Sequence, residues 1–382
     1  MNKMNKIKTE IAAYYFPQYH ADPRNDVIHY PGWSEWELVK NSKPRFPGHQ
    51  QPKVPLWGYE DEADPKVMAR KIDAAADHGL AGFLFDWYWY DEQPFLERAL
   101  TEGFQKAPNC SRLKYALMWA NHDWHNIHPM NREHEFPLLF KGAVTPEQFD
   151  RMTDHIIEKH FKHPSYWLID NCPWFQIYEI CNFVEAIGGW EKAQQALEHF
   201  RAKVKKAGFD DLHLTLILWG CRILPGERTA GSPEDVLRLA NAQSVTSYVW
   251  THHITLPDFP FTEFEVPYKV NVDYWQEAKE KFDVEYFPNV TMGWDSSPRT
   301  SQDEEYLNHG YPFCPVMKTT PKQFEDALRH AVEFAADLPD GKRIITINAW
   351  NEWTEGSYLE PDEFNGYGYL EAIKNVTGGN VR

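Results

Sequence analysis

Cysteine is scarce in this chain. The five present, Cys110, Cys172, Cys181, Cys221 and Cys314, are odd in number, dispersed, and form no C-x-x-C pair. That argues against a disulfide framework and leaves reduced, mostly buried thiols. Positive charge is also short: 39 Lys and Arg against 56 Asp and Glu give a formal net charge of −17. A field of that sign repels phosphate backbones and anionic lipid, so neither a nucleic-acid partner nor a membrane-surface role is expected. No run approaches the roughly 20 apolar residues of a membrane span. A Walker-type glycine loop, G-x-S-x-G, H-E-x-x-H and D-x-D are all missing, so nucleotide binding, serine-hydrolase chemistry and zinc-protease chemistry have no positive support.

What is abundant is aromatic: 16 Trp, 19 Tyr and 23 Phe make 15% of 382 residues. Such a composition excludes disorder. At about 150 residues per domain the length suggests two or three domains, yet one eight-fold α/β barrel with loop insertions accommodates it equally well. The first ten residues, MNKMNKIKTE, are polar, and the apolar run Ile11–Phe16 is too short for a signal h-region. A cytoplasmic location is the expectation, or periplasmic or secreted if an export signal has been removed.

Short apolar runs recur along the chain at Ile11–Phe16, Ala81–Trp87, Lys114–Ala120, Trp174–Ile180, Leu212–Trp219, Ser244–Trp250, Glu285–Met292 and Arg343–Trp350. Several are nearly continuous in Ile, Leu, Val, Phe and Tyr, as parallel strands covered on both faces should be. Helix starts lie between them. Asp64-Pro65, Thr145-Pro146, Ser232-Pro233 and Thr320-Pro321 each put a capping side chain before a proline at the first helical position. Thr145…Gln148, Ser232…Asp235 and Thr320…Gln323 add capping-box spacing, and Gly79 and Gly208 sit where helices should stop. With no low-complexity linker and no repeat, the alternation predicts a single (β/α)8 TIM barrel over 1–382, with long βα loops at its C-terminal face. Strand order is not written in the sequence, so a doubly wound open sheet is the alternative. Residues 22–59 show no clear helix and predict a long loop insertion after the first strand, of a kind that is usually functional.

In such a barrel the reacting groups sit at the C-terminal ends of the strands. Those ends carry Tyr15, Gln18 and His20; Asp86 and Trp87; Trp119, Asn121 and His122; Tyr178; Trp219; Tyr248; Trp294, Asp295 and Arg299; and Trp350 with Asn351. Flat π faces mixed with carboxylates and amides suit sugar rings, which offer C–H patches to the first and hydroxyls to the second. The sharpest feature is Glu352-Trp353-Thr354-Glu355. On a continuing strand the two glutamates would point to opposite faces, so sharing one cleft requires a bend after Trp353, which Gly356 supports. Glycoside cleavage needs two such carboxyls, and crowding raises at least one pKa. Elsewhere, His122, His125 and His128 beside Asp123 have a spacing reminiscent of metal ligands, but in non-helical surroundings no metal is expected there. Asp295 and Arg299 are candidates either to bind substrate or to pair with each other. His252-His253 suits a substrate contact or a strand end.

The motifs YFPQYH, GWSEW (Gly32–Trp36), WANHDW (Trp119–Trp124), GWDSSPR (Gly293–Arg299) and NAWNEWTEGSYLEPD (Asn348–Asp362) resemble the WbsX-like family, which is related to glycoside hydrolase family 99, the endo-α-mannosidases. The resemblance spans almost the whole chain. It implies a TIM barrel, a site at its C-terminal mouth that includes Glu35, Trp36 and Glu360, and no metal or organic cofactor. The endo-α-mannosidases carry N-E-W-H-E-G-T-Q-I-E; its two glutamates match Glu352 and Glu355. By that match Glu355 is the general acid/base, and Glu352 assists the substrate's own 2-hydroxyl in a retaining reaction through a 1,2-anhydro sugar. Thr354 replaces the histidine of that stretch, Tyr358 its glutamine, and His122 stands where many WbsX-like sequences have glutamate. The expected function is a glycoside hydrolase acting on an α-linked, mannose-like glycan or surface polysaccharide, its partner a carbohydrate and its state monomeric. The alternatives are a glycosyltransferase of surface-polysaccharide synthesis and a non-catalytic glycan-binding barrel.

Overall fold

The computed structural model describes residues 9–131, 137–224 and 226–378. The polar N-terminal stretch lies outside the described residues up to position 8. Nine parallel strand segments form a nearly closed barrel. They are β1 (Glu10–Tyr15), β2 (Gly82–Tyr90), β3 (Lys114–Trp119), β4 (Cys172–Ile177), β5 (His213–Ile217), β6 (Ser244–Thr246), β7 in two pieces (Glu285–Phe287 and Asn289–Thr291), and β8 (Ile344–Asn348). The expected seventh strand ran unbroken to Met292. Pro288 has no N–H to give a ladder and divides it. The first piece pairs with β6 and the second with β8, so the break falls where the sheet closes on itself. The expected fourth, fifth and sixth strands also end two to four residues early, because their last residues leave the ladder for the C-terminal loops.

Helix starts follow the capping logic closely. Asp64 accepts from Lys66 N, and Thr145 and Thr320 both form complete capping boxes. At Ser232 the box does not form: the hydroxyl donates instead to the Asp235 carboxylate at 3.0 Å. Residues 22–59 are not helix-free, since Pro23–Ile28 and Trp36–Asn41 are short helices. The first opens with Asp22-Pro23, the same signal that opens the Pro65–Asp77 helix.

Parity along the strands decides what faces the barrel axis. Contacts between non-adjacent strands reveal the inward set. Tyr14 of β1 donates to Gln176 of β4 at 3.0 Å and its ring lies 4.7 Å from Tyr248, just past β6. The Thr246 and Thr346 hydroxyls meet across the barrel at 3.2 Å. With a period of two, Asp86 and Tyr88 then face inward on β2, while Trp87 and Trp89 face the surrounding helices. On β3, Met118 faces inward and Trp119 outward. No helix among the described residues is long and apolar enough to cross a membrane.

Candidate active site

The bend after Trp353 is present. Asn351–Glu352 pairs antiparallel with Ser357–Tyr358, and Trp353–Glu355 forms the single helical turn between them. Gly356 closes it with φ +63°. A Cβ at this glycine would lie 2.6 Å from Asp295 Cβ, so the turn tolerates no side chain there. The GWDSSPR segment packs directly beneath it: Asp295 N donates to Glu355 O at 2.5 Å. Asp295 itself is held by His49 Nε2 at 2.9 Å and Gln51 Nε2 at 2.7 Å, both from the 22–59 segment. Its partner is therefore not Arg299.

Arg299 instead reaches the two glutamates. Its Nε donates to Glu35 Oε1 at 2.8 Å, one terminal nitrogen donates to Glu355 Oε1, and the other to Glu352 Oε2 at 3.3 Å. Tyr311 accepts from Arg299 at 2.6 Å and donates to Glu355 at 3.0 Å. Thr354, between the glutamates, donates to Glu35. The Tyr248 hydroxyl lies 2.8 Å from Asp86 and 3.2 Å from Glu352, with one proton to give to either. Three buried carboxyls thus share one guanidinium, and a fourth, Asp86, joins them through Tyr248.

Their protonation follows from that imbalance. Burial raises the Glu35 pKa, but the Arg299 charge, His128 and the Thr354 hydrogen bond outweigh it, and Glu35 is held below the usual range as an anion. Burial and the charge of Glu355 push Glu352 well up. Glu355 is raised by burial too, against the pull of Arg299 and Tyr311. Asp86 is also well up, mainly from burial. In the unliganded site the shared proton therefore favours Glu352, whose two donors stand farther off, at 3.2 and 3.3 Å. His128 falls to about 4 through burial and stays neutral at pH 7.

Asp86, His128, Arg299, Glu352 and Glu355 line one pocket at the C-terminal mouth of the barrel. Of the residues singled out from the sequence, Asp86, His122, Tyr178, Tyr248, Trp294, Arg299, Glu352 and Glu355 meet there. One wall is a stack: the His122 and Trp124 rings lie 5.9 Å apart, Trp124 and His128 5.6 Å, both near parallel. His122, His125 and His128 all line the pocket, but they form no metal-ligating group among the described residues.

The other expected contact residues lie off the pocket. Tyr15 and Trp119 are on the outward parity; Tyr15 stacks on Phe85, and Trp119 packs on Phe149 and Phe183. Trp87, also outward, donates to Glu97. Trp219 stacks 4.7 Å from His252, a lining residue. Gln18 and His20 are buried beside the first loop. Asn121 pins the Glu179 backbone, donating at 2.8 Å and accepting at 2.8 Å. Glu35 stands behind Arg299. Trp36 donates to Glu60 O at 2.8 Å. Asn351 ties the Glu352–Glu355 turn to Phe16, and Glu360 accepts both the Trp350 and Trp353 indoles at 2.8 Å. Beneath them Lys71 pairs with Glu62 and Glu360 at 2.5 and 2.6 Å. This group holds the turn from below.

Sequence reasoning missed Tyr311 and Glu227. Glu227 is buried, accepts from Tyr178 at 2.6 Å, and is capped by Ile223 N at 2.7 Å and Leu224 N at 3.0 Å. Both sit in irregular loops with no periodicity to flag them.

A parallel barrel with a carboxyl-rich, ring-walled mouth defines the class. Residues 11–373 match the family model described as glycosyltransferase WbsX, and the chain belongs to that family. It is 28% identical over 378 residues to the uncharacterized protein WxcX of Xanthomonas campestris pv. campestris strain B100, covering 97% of this chain but about half the length of WxcX. Among solved structures it is similar to the GH99 endo-α-mannosidase from Bacteroides thetaiotaomicron, with TM-score 0.56 and 14% identity over 98% of this chain and 97% of that one. It is also similar to a glycoside hydrolase-like protein, with TM-score 0.59 and 14% identity over 99% and 96% of the two chains. At these identities the likeness is one of fold.

Proposed function

We propose that this chain cleaves an α-linked glycan, mannose-like or from a surface polysaccharide, with Glu352 and Glu355 as its two acids. The observation that carries the reading is the pair of buried carboxyls on one guanidinium, both facing a pocket walled by aromatic rings. Such a pair holds a proton near neutral pH and can hand it over, which is what the acid and base steps of glycoside cleavage require. The Trp124 stack offers a flat face to sugar C–H groups, and Asp86, Tyr248 and His252 offer partners to hydroxyls.

In the proposed cycle a sugar 2-hydroxyl donates to Glu352. That favours its anion and passes the shared proton to Glu355. Glu355 then protonates the leaving oxygen, while Glu352 draws the 2-hydroxyl proton as that oxygen attacks the anomeric carbon. Water, deprotonated by Glu355, then attacks the anomeric carbon and breaks its bond to O2 while Glu352 returns the proton to O2, with net retention. The role of each glutamate rests on the family resemblance.

The family's own description favours a second reading, transfer from an activated sugar. Against it, Arg299 is the one Lys or Arg lining the pocket among the described residues, and its N–H groups are engaged by Glu35, Glu352, Glu355 and Tyr311. A donor diphosphate would meet carboxylates. Incubation with a panel of mannan and O-antigen fragments, followed by mass and anomeric NMR analysis, separates the readings. Hydrolysis is expected, with the α-anomer formed first. Stabilisation by a nucleotide diphosphate without hydrolysis of any fragment would favour the transferase, and saturable binding without product would favour a lectin-like barrel.

A further inference from the structure

On the outer side of β2, away from the pocket, lies a group that the proposed chemistry does not use. Glu97 Oε1 is 2.9 Å from His155 Nε2 and 2.8 Å from His160 Nε2. We propose that Glu97, His155 and His160 form a binding site for a divalent metal of the Zn2+ class.

The backbone explains how two histidines five apart converge. In an α-helix, residues i and i+5 lie about 140° apart around the axis. Here Pro146–Ile156 continues directly into a π-helix, Ile157–Phe161. The wider π turn follows His155 and contains His160, so it changes the phase between them from that of a plain α-helix, and such segments are frequent at functional sites. The three ligand atoms all lie within 4.8 Å of one another. Tetrahedral ligands at about 2.1 Å from a zinc ion are about 3.4 Å apart. The two contacts to Glu97 must therefore open by about half an ångström to admit the ion in place of the two Nε2 protons.

The surroundings suit a metal. Two imidazoles and a carboxylate are a recurrent donor set for Zn2+ with one position left for water. The His160 side chain is fully buried, while His155 is 22% exposed and gives a way in. His160 Nδ1 is 3.3 Å from the Gln105 amide. The same amide nitrogen donates to the Tyr115 hydroxyl at 2.7 Å, which holds Gln105 beside the ring nitrogen left free of the ion. Trp87 Nε1, 2.9 Å from Glu97 Oε1, supports the carboxylate from the strand side. A bound ion would tie the turn after β2 to the helix after β3, directly behind Trp87 and its neighbour Asp86.

The test is calorimetric titration of chelator-treated protein with Zn2+ alone, with thermal melts alongside. One ion per chain is expected, and a rise in melting midpoint of about 3 °C at one hundred times Kd. His155→Ala, at the exposed edge, and the isosteric Glu97→Gln should each weaken binding at least tenfold while their metal-free melts show a folded protein. Cobalt substitution should give the intense visible bands of a four- or five-coordinate site in the wild type and lose them in both variants. Absence of Zn2+ binding in the wild type would overturn the proposal, as would unchanged affinity in both variants.

Discussion

Replacing Arg299 by methionine tests the electrostatic core of the site. The wild-type guanidinium donates to Glu35, Glu352, Glu355 and Tyr311. Methionine roughly preserves the volume and leaves those carboxyls buried without a cation. Breaking a buried ion pair in this way costs about 3–5 kcal/mol at pH 7. With an unfolding entropy of about 2.1 cal/mol/K per residue and 382 residues, that is a fall of about 4–6 °C in melting temperature. The pH dependence has a definite sign. Glu35 has its pKa lowered by Arg299 in the folded protein, so it contributes stability that is present above its unfolded value near 4.3 and lost as pH falls through the folded value. The variant lacks this contribution. Its deficit should be largest at pH 7 and shrink on acidification toward pH 4, as the orphaned carboxyls protonate. Urea unfolding at both pH values checks this. A loss under about 1 kcal/mol at pH 7, or an equal loss at both, would refute the reasoning.

Two further predictions use the same site. Asp86 has a folded pKa raised well above its unfolded value; its favourable contribution is present below about pH 3.9 and is lost as pH rises through the folded pKa. Asp86→Asn should therefore gain stability over the wild type by up to about 1.4 kcal/mol per pH unit across that window, read as a urea midpoint difference that widens from pH 5 to 7; a constant difference would contradict it. Gly356→Ala places a Cβ 2.6 Å from Asp295 at a positive φ and should cost about 1–3 kcal/mol and most of the activity. A variant as stable and active as the wild type would show that the turn is not constrained as described.

The strand and helix order was legible because each parallel strand reads as an apolar run and half of the described α-helices open with a capping residue before proline. The turn at Glu352–Gly356 was legible because two carboxyls on one strand can share a cleft only if the backbone bends. What failed was parity. Trp87 and Trp119 share strand ends with Asp86 and Met118, and a list of residue types does not say which member of each pair faces inward. The break at Pro288 shows as a proline, yet only the pairing of each half with a different neighbour gives it meaning. Tyr311 and Glu227 come from loops, where hydrogen-bond partners are set by tertiary placement. The Glu97–His155–His160 group was hidden because 58 residues separate the carboxylate from the nearer histidine and because a π-helix, which has no sequence signature of its own, changes the phase between the pair.

The claim on which the rest depends is that Glu352 and Glu355 carry the chemistry. Its most direct measurement is kcat/KM for Glu352→Gln and Glu355→Gln on whichever fragment the wild type cleaves, with melting curves recorded beside it. Both variants should fall by at least a thousandfold, equivalent to about 4 kcal/mol of transition-state stabilisation, while remaining folded. If either folded variant keeps a rate within tenfold of the wild type, that glutamate is not one of the two acids.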